Sequence, residues 1–199
     1  MIKIWWVRHA PVKGNKKCCY GNNEVECDLS DAISFNNLVS ILPKNSFVYT
    51  SNLSRTIKTF KVAVEKGFTY KNHIKDSRLN EQNLGDYTGM KYDALEYLMK
   101  EKNIYDKNWL MSFKHSPPNG ESFEKLSERV CNFVDDVLKN HTKNSDVVIF
   151  SHGGPIRAAI SYALNYSLEN IIPLDIKNTK VSLLEYDENK DARLIYLNK

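Results

Sequence analysis

The sequence predicts an α/β fold in which a mostly parallel central sheet lies between two layers of helices. Short apolar runs of strand length alternate with longer segments whose apolar residues recur at a spacing of three and four, and this alternation is typical of α/β sheets. With 199 residues, 42% of them hydrophobic, the chain is long enough to bury one well-packed core. We therefore expect a three-layer sandwich formed as a single domain over residues 1–199.

Five apolar runs bounded by polar or turn residues predict the strands of this sheet. The run at residues 2–8 is apolar on both faces, as expected for a strand buried between two helical layers. The run at residues 146–150 has the same character. The remaining predicted strands cover residues 47–50, 181–186 and 193–197.

Five segments are predicted to be helical because their apolar residues fall on one face. Ser30 is the predicted N-cap of the first, Gly67 stops the second, and Pro155 begins the last in its first turn. The residues between the second and third helices, including Glu81, are expected to be irregular. The predicted helices cover residues 30–42, 53–66, 91–101, 121–139 and 155–164.

Composition excludes several classes of function. The net charge of +4 comes from scattered lysines rather than a basic stripe, which argues against a nucleic-acid-binding protein. No apolar stretch approaches the roughly 20 residues of a membrane span. The four cysteines form no CxxC pair, so neither a disulfide framework nor a zinc site is predicted. The first apolar run is too short for a signal peptide, and a cytoplasmic protein is expected.

Polar residues gather at three predicted strand-to-helix junctions, at residues 7–11, 50–55 and 150–155. The carboxyl ends of parallel strands meet at one edge of a sheet, where open α/β folds bind ligands. Side chains that are far apart in the chain are therefore expected to converge there. These side chains are Arg8, His9, Arg55 and His152.

Two glycines, Gly153 and Gly154, precede the last predicted helix. Without side chains, they let the backbone N–H groups at a helix start approach an anion closely. Two guanidiniums, two imidazoles and a helix N-terminus together are typical of a phosphate pocket.

Five short motifs lie in order along nearly the whole chain: RHAP, SNLSRTIKT, RLNEQNLGDYTG, PPNGES and VVIFSHGGPIR. Together they resemble the motifs of the histidine phosphatase superfamily, also called the phosphoglycerate mutase-like superfamily. Within it the chain is most similar to the alpha-ribazole phosphatase branch, because of Tyr20 and Gly21 after the first motif, the third motif itself, and a tryptophan-bearing stretch before the fourth.

The resemblance implies a phosphoglycerate mutase-like sandwich and a phosphomonoesterase that needs no metal and no cofactor. It implies that His9 is the nucleophile, that Glu81 is the proton donor, and that Arg8, Arg55 and His152 hold the phosphoryl group. A neutral imidazole can attack phosphorus, and arginines can supply the charge that a metal supplies elsewhere. A protonated His152 would add one more donor to the phosphoryl oxygens.

Further residues are expected to touch the substrate. Gly153 is expected to present its backbone to the phosphoryl group, while Tyr20 is expected near the organic part. For Trp109 two places stay open, one near the organic part and one in the packing of the core or a lid. The chain departs from the family pattern after its histidine, where Ala10 and Pro11 stand in place of the usual glycine and polar residue.

The expected partner is a small phosphate monoester, and the similarity suggests alpha-ribazole 5′-phosphate of cobalamin biosynthesis. Three different functions stay open beside this one: a phosphoglycerate mutase-type phosphoryl transfer, a broad-specificity sugar or nucleotide phosphatase, and a catalytically silent module that binds a phosphate ligand. No nucleic-acid or membrane partner is expected. The oligomeric state stays open, a homodimer included.

Overall fold

A six-stranded sheet forms the centre of the molecule. The computed structural model describes residues 1–14, 17–107 and 111–199, so Trp109 lies outside the described residues. The strands are β1 (Ile2–Arg8), β2 (Ser46–Thr50), β3 (Tyr70–Lys75), β4 (Asp146–Ser151), β5 (Val181–Tyr186) and β6 (Ala192–Tyr196).

The strand order is β3-β2-β4-β1-β5-β6. Strands β1 to β4 run parallel to one another, whereas β5 is antiparallel to β1 and to β6. Helices cover both faces of the sheet, and the predicted α/β architecture with a mostly parallel central sheet is confirmed. The helices are α1 (Ala32–Ile41), α2 (Ser54–Glu65), α3 (Tyr92–Glu101), α4 (Phe123–Asn140), α5 (Gly153–Leu164) and α6 (Leu168–Ile171).

The two central strands bury side chains on both faces of the sheet because successive residues of a strand point to opposite sides. In β4, Val147 and Ile149 pack in the core beneath α4 and α5. Their neighbours Val148 and Phe150 pack in the core beneath α1 and α2. This double burial explains the continuous apolar run of β4.

The segment that forms β3 is expected from the sequence to be irregular, and that expectation is wrong. It is an edge strand that, within the described ranges, pairs only with β2, and most of its residues are exposed, including Tyr70 and Ile74. A strand with solvent on both faces shows no apolar alternation, so its sequence carries no strand signal. The four-residue helix α6 is likewise absent from the sequence prediction.

Several helix ends differ from the sequence prediction. Helix α5 begins at Gly153, two residues before Pro155. The N-cap of α1 is Asp31 rather than Ser30, and its carboxylate accepts a hydrogen bond from the Ser34 N–H at 3.0 Å. Helix α4 begins two residues later than expected, after a serine N-cap.

A third, smaller apolar cluster lies beside α3, outside the two cores of the sandwich. We call it the cap cluster. It is formed by Cys19, Leu84, Tyr87, Leu95, Met99 and Met111. Across the described ranges, no helix combines the length and apolar character needed to cross a membrane.

Candidate active site

A pocket of about 420 Å³ opens at the carboxyl edge of the sheet, where β1 and β4 end. We call it the edge pocket. Its two ends differ in chemistry, because one lies against the strand ends and the other against the cap cluster. The charged end is formed by Arg8, Glu81, Gly153 and Arg157, and the more apolar end by Cys19, Tyr20, Leu84 and Met111.

His9 follows β1 directly and is almost completely buried, with 1% of its surface exposed. Its backbone is fixed on both sides, since its N–H donates to the Ser151 carbonyl at 3.0 Å and its carbonyl accepts from Asn178 Nδ2 at 2.7 Å. The ring Nδ1 lies 2.7 Å from the Ala10 carbonyl oxygen. A carbonyl can only accept, so Nδ1 carries the hydrogen and Nε2 carries the lone pair.

The His9 imidazole is neutral at physiological pH. Burial is the main cause that lowers its pKa to about 3, and the positive charge of Arg55 lowers it further. The hydrogen bond to Ala10 opposes this shift, and the Arg8 charge adds to it. A neutral ring with a lone pair on Nε2 is the form that can act as a nucleophile.

His152 lies beside His9, with the two ring centroids 5.0 Å apart. Its Nδ1 accepts a hydrogen bond from Arg55 Nε at 3.1 Å, and its Nε2 lies 2.8 Å from Ser51 Oγ. Because a guanidinium only donates, Nδ1 is unprotonated and Nε2–H donates to Ser51. Complete burial, together with the Arg55 charge, holds the pKa of His152 well below its ordinary value. The structure thus contains a neutral His152 rather than the protonated donor considered from the sequence.

Arg55 is fully buried beneath the edge pocket. Besides His152, it donates through Nη1 to the Asn23 carbonyl at 2.7 Å and through Nη2 to the Gly21 carbonyl at 2.8 Å. Its guanidinium carbon also lies 5.3 Å from the centre of the Tyr20 ring. One side chain therefore connects the loop that carries Tyr20 to the histidine pair.

Glu81 enters the edge pocket opposite the start of α5. The Gly154 N–H donates to its Oε2 at 3.4 Å, and the Gln82 N–H donates to its Oε1 at 3.0 Å. A carboxylate at a helix N-terminus is favoured by the helix dipole. A Cβ on Gly154 would come within 2.3 Å of Glu81 Oε1, so a glycine at this position lets the carboxylate approach the helix.

The irregular segment that carries Glu81 is braced from α4 and its preceding loop. The Glu121 carboxylate accepts from Arg129 Nη2 at 2.7 Å and from the Asn83 N–H at 2.9 Å. Arg129 also donates to the carbonyls of Arg78 and Glu81. These bonds hold a segment that has no regular secondary structure of its own.

Sequence reasoning missed two residues of the site, Ser51 and Arg157. Ser51 bonds to His152, whereas the neighbouring Ser151 donates to the Leu79 carbonyl at 2.8 Å. The sequence does carry a signal for Arg157, because it lies one helical turn after Gly153 on the same face of α5. Among the predicted site residues, Arg8, Tyr20, Glu81 and Gly153 line the edge pocket. The other three, His9, Arg55 and His152, are buried and are not part of its lining.

Side chains that commonly bind metals are dispersed through the described parts of the chain. Nowhere in those parts are three histidine, cysteine, aspartate or glutamate side chains grouped so that they could hold a metal ion.

Comparison with known families decides the classification. The family described as the histidine phosphatase superfamily (branch 1) matches residues 4–198. The chain belongs to this superfamily.

Individual relatives of the chain carry different names. It is 28% identical, over all of its length and 96% of the relative, to a Hydrogenobacter thermophilus protein provisionally named phosphoserine phosphatase 2. It is 28% identical, over 83% of its length and 72% of the relative, to a 2,3-bisphosphoglycerate-dependent phosphoglycerate mutase of Methanococcus vannielii. Its fold matches the alpha-ribazole phosphatase from Shigella flexneri with a TM-score of 0.77 and 23% identity, covering 99% of this chain and 96% of the other.

Ala10, which follows His9, departs from the glycine that the family resemblance leads one to expect. Ala10 is fully buried, and its N–H donates to Thr59 Oγ1 at 2.9 Å. The Thr59 hydroxyl in turn donates to the Arg55 carbonyl at 2.7 Å. The backbone N–H of Ala10 is thus directed into α2, and the edge pocket receives its polar contacts from other residues.

Proposed function

We propose that the protein is a metal-independent phosphomonoesterase that acts through a phosphohistidine at His9. The observation that carries this proposal is a neutral His9 with its lone pair on Nε2. It directly follows Arg8, which lines the edge pocket together with Glu81 and with Gly153 at the start of α5. We propose residues 1–199 as one catalytic domain, with catalytic roles for His9 and Glu81. We also propose a catalytic role for His152 as a donor to the phosphoryl group, for which its Nε2–H would exchange Ser51 for a phosphoryl oxygen.

In the first step, His9 Nε2 forms a bond to phosphorus as the bond from phosphorus to the ester oxygen breaks. Glu81 in its protonated form gives its proton to the departing oxygen, so the alcohol leaves neutral. In the second step, water attacks the phosphohistidine while Glu81, now a carboxylate, takes the water proton. The phosphorus–nitrogen bond breaks, and inorganic phosphate and neutral His9 are released.

Charge stabilisation in both steps is assigned to the surrounding donors. The Arg8 guanidinium and the backbone N–H groups at the start of α5 would face the phosphoryl oxygens, where negative charge increases in the transition state. Arg55 holds His152 and the Tyr20 loop, and its charge lies beside the histidine pair.

For the substrate, we propose alpha-ribazole 5′-phosphate and hence a cytoplasmic role in cobalamin biosynthesis. The support is the apolar end of the edge pocket, where Cys19, Leu84 and Met111 offer a surface suited to a flat, weakly polar ring system. Tyr20 lines the same end of the pocket and would contact the ribose or the base. The fold likeness to an alpha-ribazole phosphatase points in the same direction.

A second candidate is phosphoglycerate mutase-type transfer, which the methanogen relative favours. A mutase must return the phosphoryl group to a second hydroxyl before water reaches it. A broad-specificity sugar or nucleotide phosphatase is a third candidate, and a silent phosphate-binding module is a fourth. A module without turnover would have no use for a proton donor at Glu81.

The discriminating experiment measures phosphate release in excess chelator with alpha-ribazole 5′-phosphate, 3-phosphoglycerate and an aryl phosphate. We expect kcat/KM to favour the ribazole ester by about a hundredfold, or roughly 3 kcal/mol of transition-state binding. Uniformly low turnover would reject this substrate. Formation of 2-phosphoglycerate from 3-phosphoglycerate faster than phosphate release would reject the hydrolase. Glu65→Gln, on the exposed face of α2, serves as the control variant.

A further inference from the structure

Arg157 is a charged residue of the edge pocket that the proposed chemistry does not use. It lies on α5, four residues after Gly153, and therefore on the same face of the helix. Helical side chains lean toward the N-terminus of their helix, so a long side chain at this position extends over Gly153.

The direction of the guanidinium is fixed by the chain that follows α6. Arg157 Nε donates to the Leu174 carbonyl at 2.8 Å. The same segment holds the other pocket arginine, since Arg8 Nη1 donates to the Ile176 carbonyl. Both guanidiniums are thus positioned by neighbouring carbonyls of one short segment.

The two guanidiniums converge on one point. A Cβ built on Gly153 would lie 3.1 Å from Arg157 Nη1 and 3.8 Å from both Cζ and Nε of Arg8. That point lies at the first residue of α5, where backbone N–H groups have no partner within the helix. The missing side chain of Gly153 therefore leaves a space that is bordered by the guanidiniums of Arg8 and Arg157 and by the N-terminus of α5.

The charges at this space favour an anion. Burial lowers the pKa of Arg157, the Glu81 carboxylate opposes the shift, and the nearby Arg8 cation adds to it. Arg8 Nε is buried and has no hydrogen-bond partner among the described residues. Two close cations repel each other, and a dianion between them replaces that repulsion with two attractive contacts.

We propose that Arg157 and Arg8 bind the same phosphoryl group, one on each side, which makes Arg157 a further substrate-binding residue of this enzyme. The inference rests on the proposed phosphatase function. Because both guanidiniums flank one point at the start of α5, a single phosphoryl group at that point can contact both. The alternative, in which Arg157 binds a second anionic group of the substrate, would require that group to lie away from this point.

The test measures binding of inorganic phosphate to the full chain by isothermal titration calorimetry, which needs no turnover. Arg157→Gln is expected to weaken phosphate binding by about tenfold or more, as the loss of one charged contact predicts. The phosphate affinity of Arg157→Lys is expected to lie between those of the wild type and Arg157→Gln, because a lysine keeps the positive charge but not the two parallel donors of a guanidinium. Arg193→Gln, on exposed β6, is the matched control and should bind phosphate like the wild type.

A purely structural role of Arg157, through its bond to Leu174, predicts a lower Tm without a selective loss of phosphate binding. Chemical rescue separates the two roles. Methylguanidinium added to Arg157→Ala is expected to restore phosphate affinity at least in part, whereas the neutral N-methylurea is not.

Two results would overturn the inference. One is a phosphate Kd within twofold of the wild type in Arg157→Gln. The other is an unchanged phosphate Kd with a raised KM for esters alone, which would place Arg157 against the organic part. The wild type could bind phosphate but hydrolyse no ester, while Arg157→Gln loses phosphate binding. That result would support the anion site and reject the proposed function, so the failure of one can be told from the failure of the other.

Discussion

Two neutral histidines surrounded by cations define the chemistry of the site at the scale of single residues. Burial and the Arg55 charge lower the pKa of both His9 and His152. The Ala10 carbonyl orients the His9 ring through Nδ1, and Ser51 with Arg55 orients the His152 ring. In the proposed mechanism, His9 therefore needs no separate base to remove a proton before it attacks.

The depressed pKa values make the free energy of unfolding depend on pH. In the unfolded chain His9 takes up a proton near its ordinary pKa of 6.5, whereas in the folded protein it stays neutral down to about pH 3. The stability is therefore complete above pH 6.5 and decreases as the pH falls toward 3. Between pH 7 and pH 5 this single histidine should remove about 2 kcal/mol.

Urea denaturation at pH 7, 6 and 5 measures this effect, with His9→Gln as the comparison. The variant lacks the titrating group. From pH 7 to pH 5, the decrease in its free energy of unfolding should therefore be about 2 kcal/mol smaller than the decrease in the wild type. Parallel pH dependences in the two proteins would contradict the neutral assignment of His9.

Glu81 is expected to act on the leaving group and on water. Glu81→Gln should lower kcat by about 10²- to 10⁴-fold for an alkyl phosphate, the usual contribution of general acid–base catalysis. An aryl phosphate with a good leaving group needs less protonation, so its first step should be affected less. The value of kcat/KM, which reports the steps up to the departure of the alcohol, checks this on both esters, and equal losses of kcat/KM on the two would argue against proton donation by Glu81.

At the scale of elements, the site depends on segments without regular secondary structure. A short 3-10 helix at Gly85–Tyr87 lies between the Glu81 segment and the cap cluster. Gly85 has a positive φ of 48°, and a Cβ there would lie 2.0 Å from the Pro118 carbonyl oxygen. The backbone of the 117–120 loop therefore contacts the backbone of the 3-10 helix directly.

Gly85→Ala should consequently destabilise the protein by at least about 2 kcal/mol, because strain at φ is added to a clash with backbone atoms. Gly14→Ala is the matched control. Gly14 has a similar φ of 62°, but a Cβ there would meet no atom within 4 Å among the described residues other than its chain neighbours, so only the left-handed backbone cost of about 1 kcal/mol is expected. Chemical denaturation of both variants checks the difference. Equal losses in the free energy of unfolding would show that the 117–120 loop can move away from the added Cβ without a loss of stability.

The elements differ in how well the sequence predicts them, and the cause is burial. Strand β4 alternates its residues between two cores and is visible as an apolar run. Strand β3 is exposed on both faces, so nothing in its composition marks it. The first-turn proline predicts helix α5, but its start at Gly153 depends on the end of β4, which the sequence does not reveal.

At the scale of the whole molecule, the convergence of Arg8, His9, Arg55 and His152 follows from topology. Their junctions follow β1, β2 and β4, which are neighbours in the sheet and parallel. A prediction of parallel strands is therefore sufficient to bring these residues together. The family resemblance, confirmed by the match over residues 4–198, agrees with this arrangement.

The sequence pattern does not predict the directions in which the side chains of the site point. The resemblance implies that Arg55 holds the phosphoryl group, but it does not reveal that the three nitrogen atoms of Arg55 also donate to His152, Asn23 and Gly21. It assigns no role to Arg157, although this residue lines the edge pocket. Such directions depend on contacts between loops distant in the chain, which periodicity and spacing do not encode.

The most direct test of the proposed chemistry is the capture of a phosphoenzyme. The wild type is incubated in excess chelator with a ³²P-labelled phosphate ester, quenched rapidly, and the label on the protein is followed at acidic and alkaline pH. We predict label that is lost in acid, is retained in base and is absent from His9→Ala. Equal labelling of the wild type and His9→Ala, or label that is stable in acid, would contradict a phosphohistidine at His9.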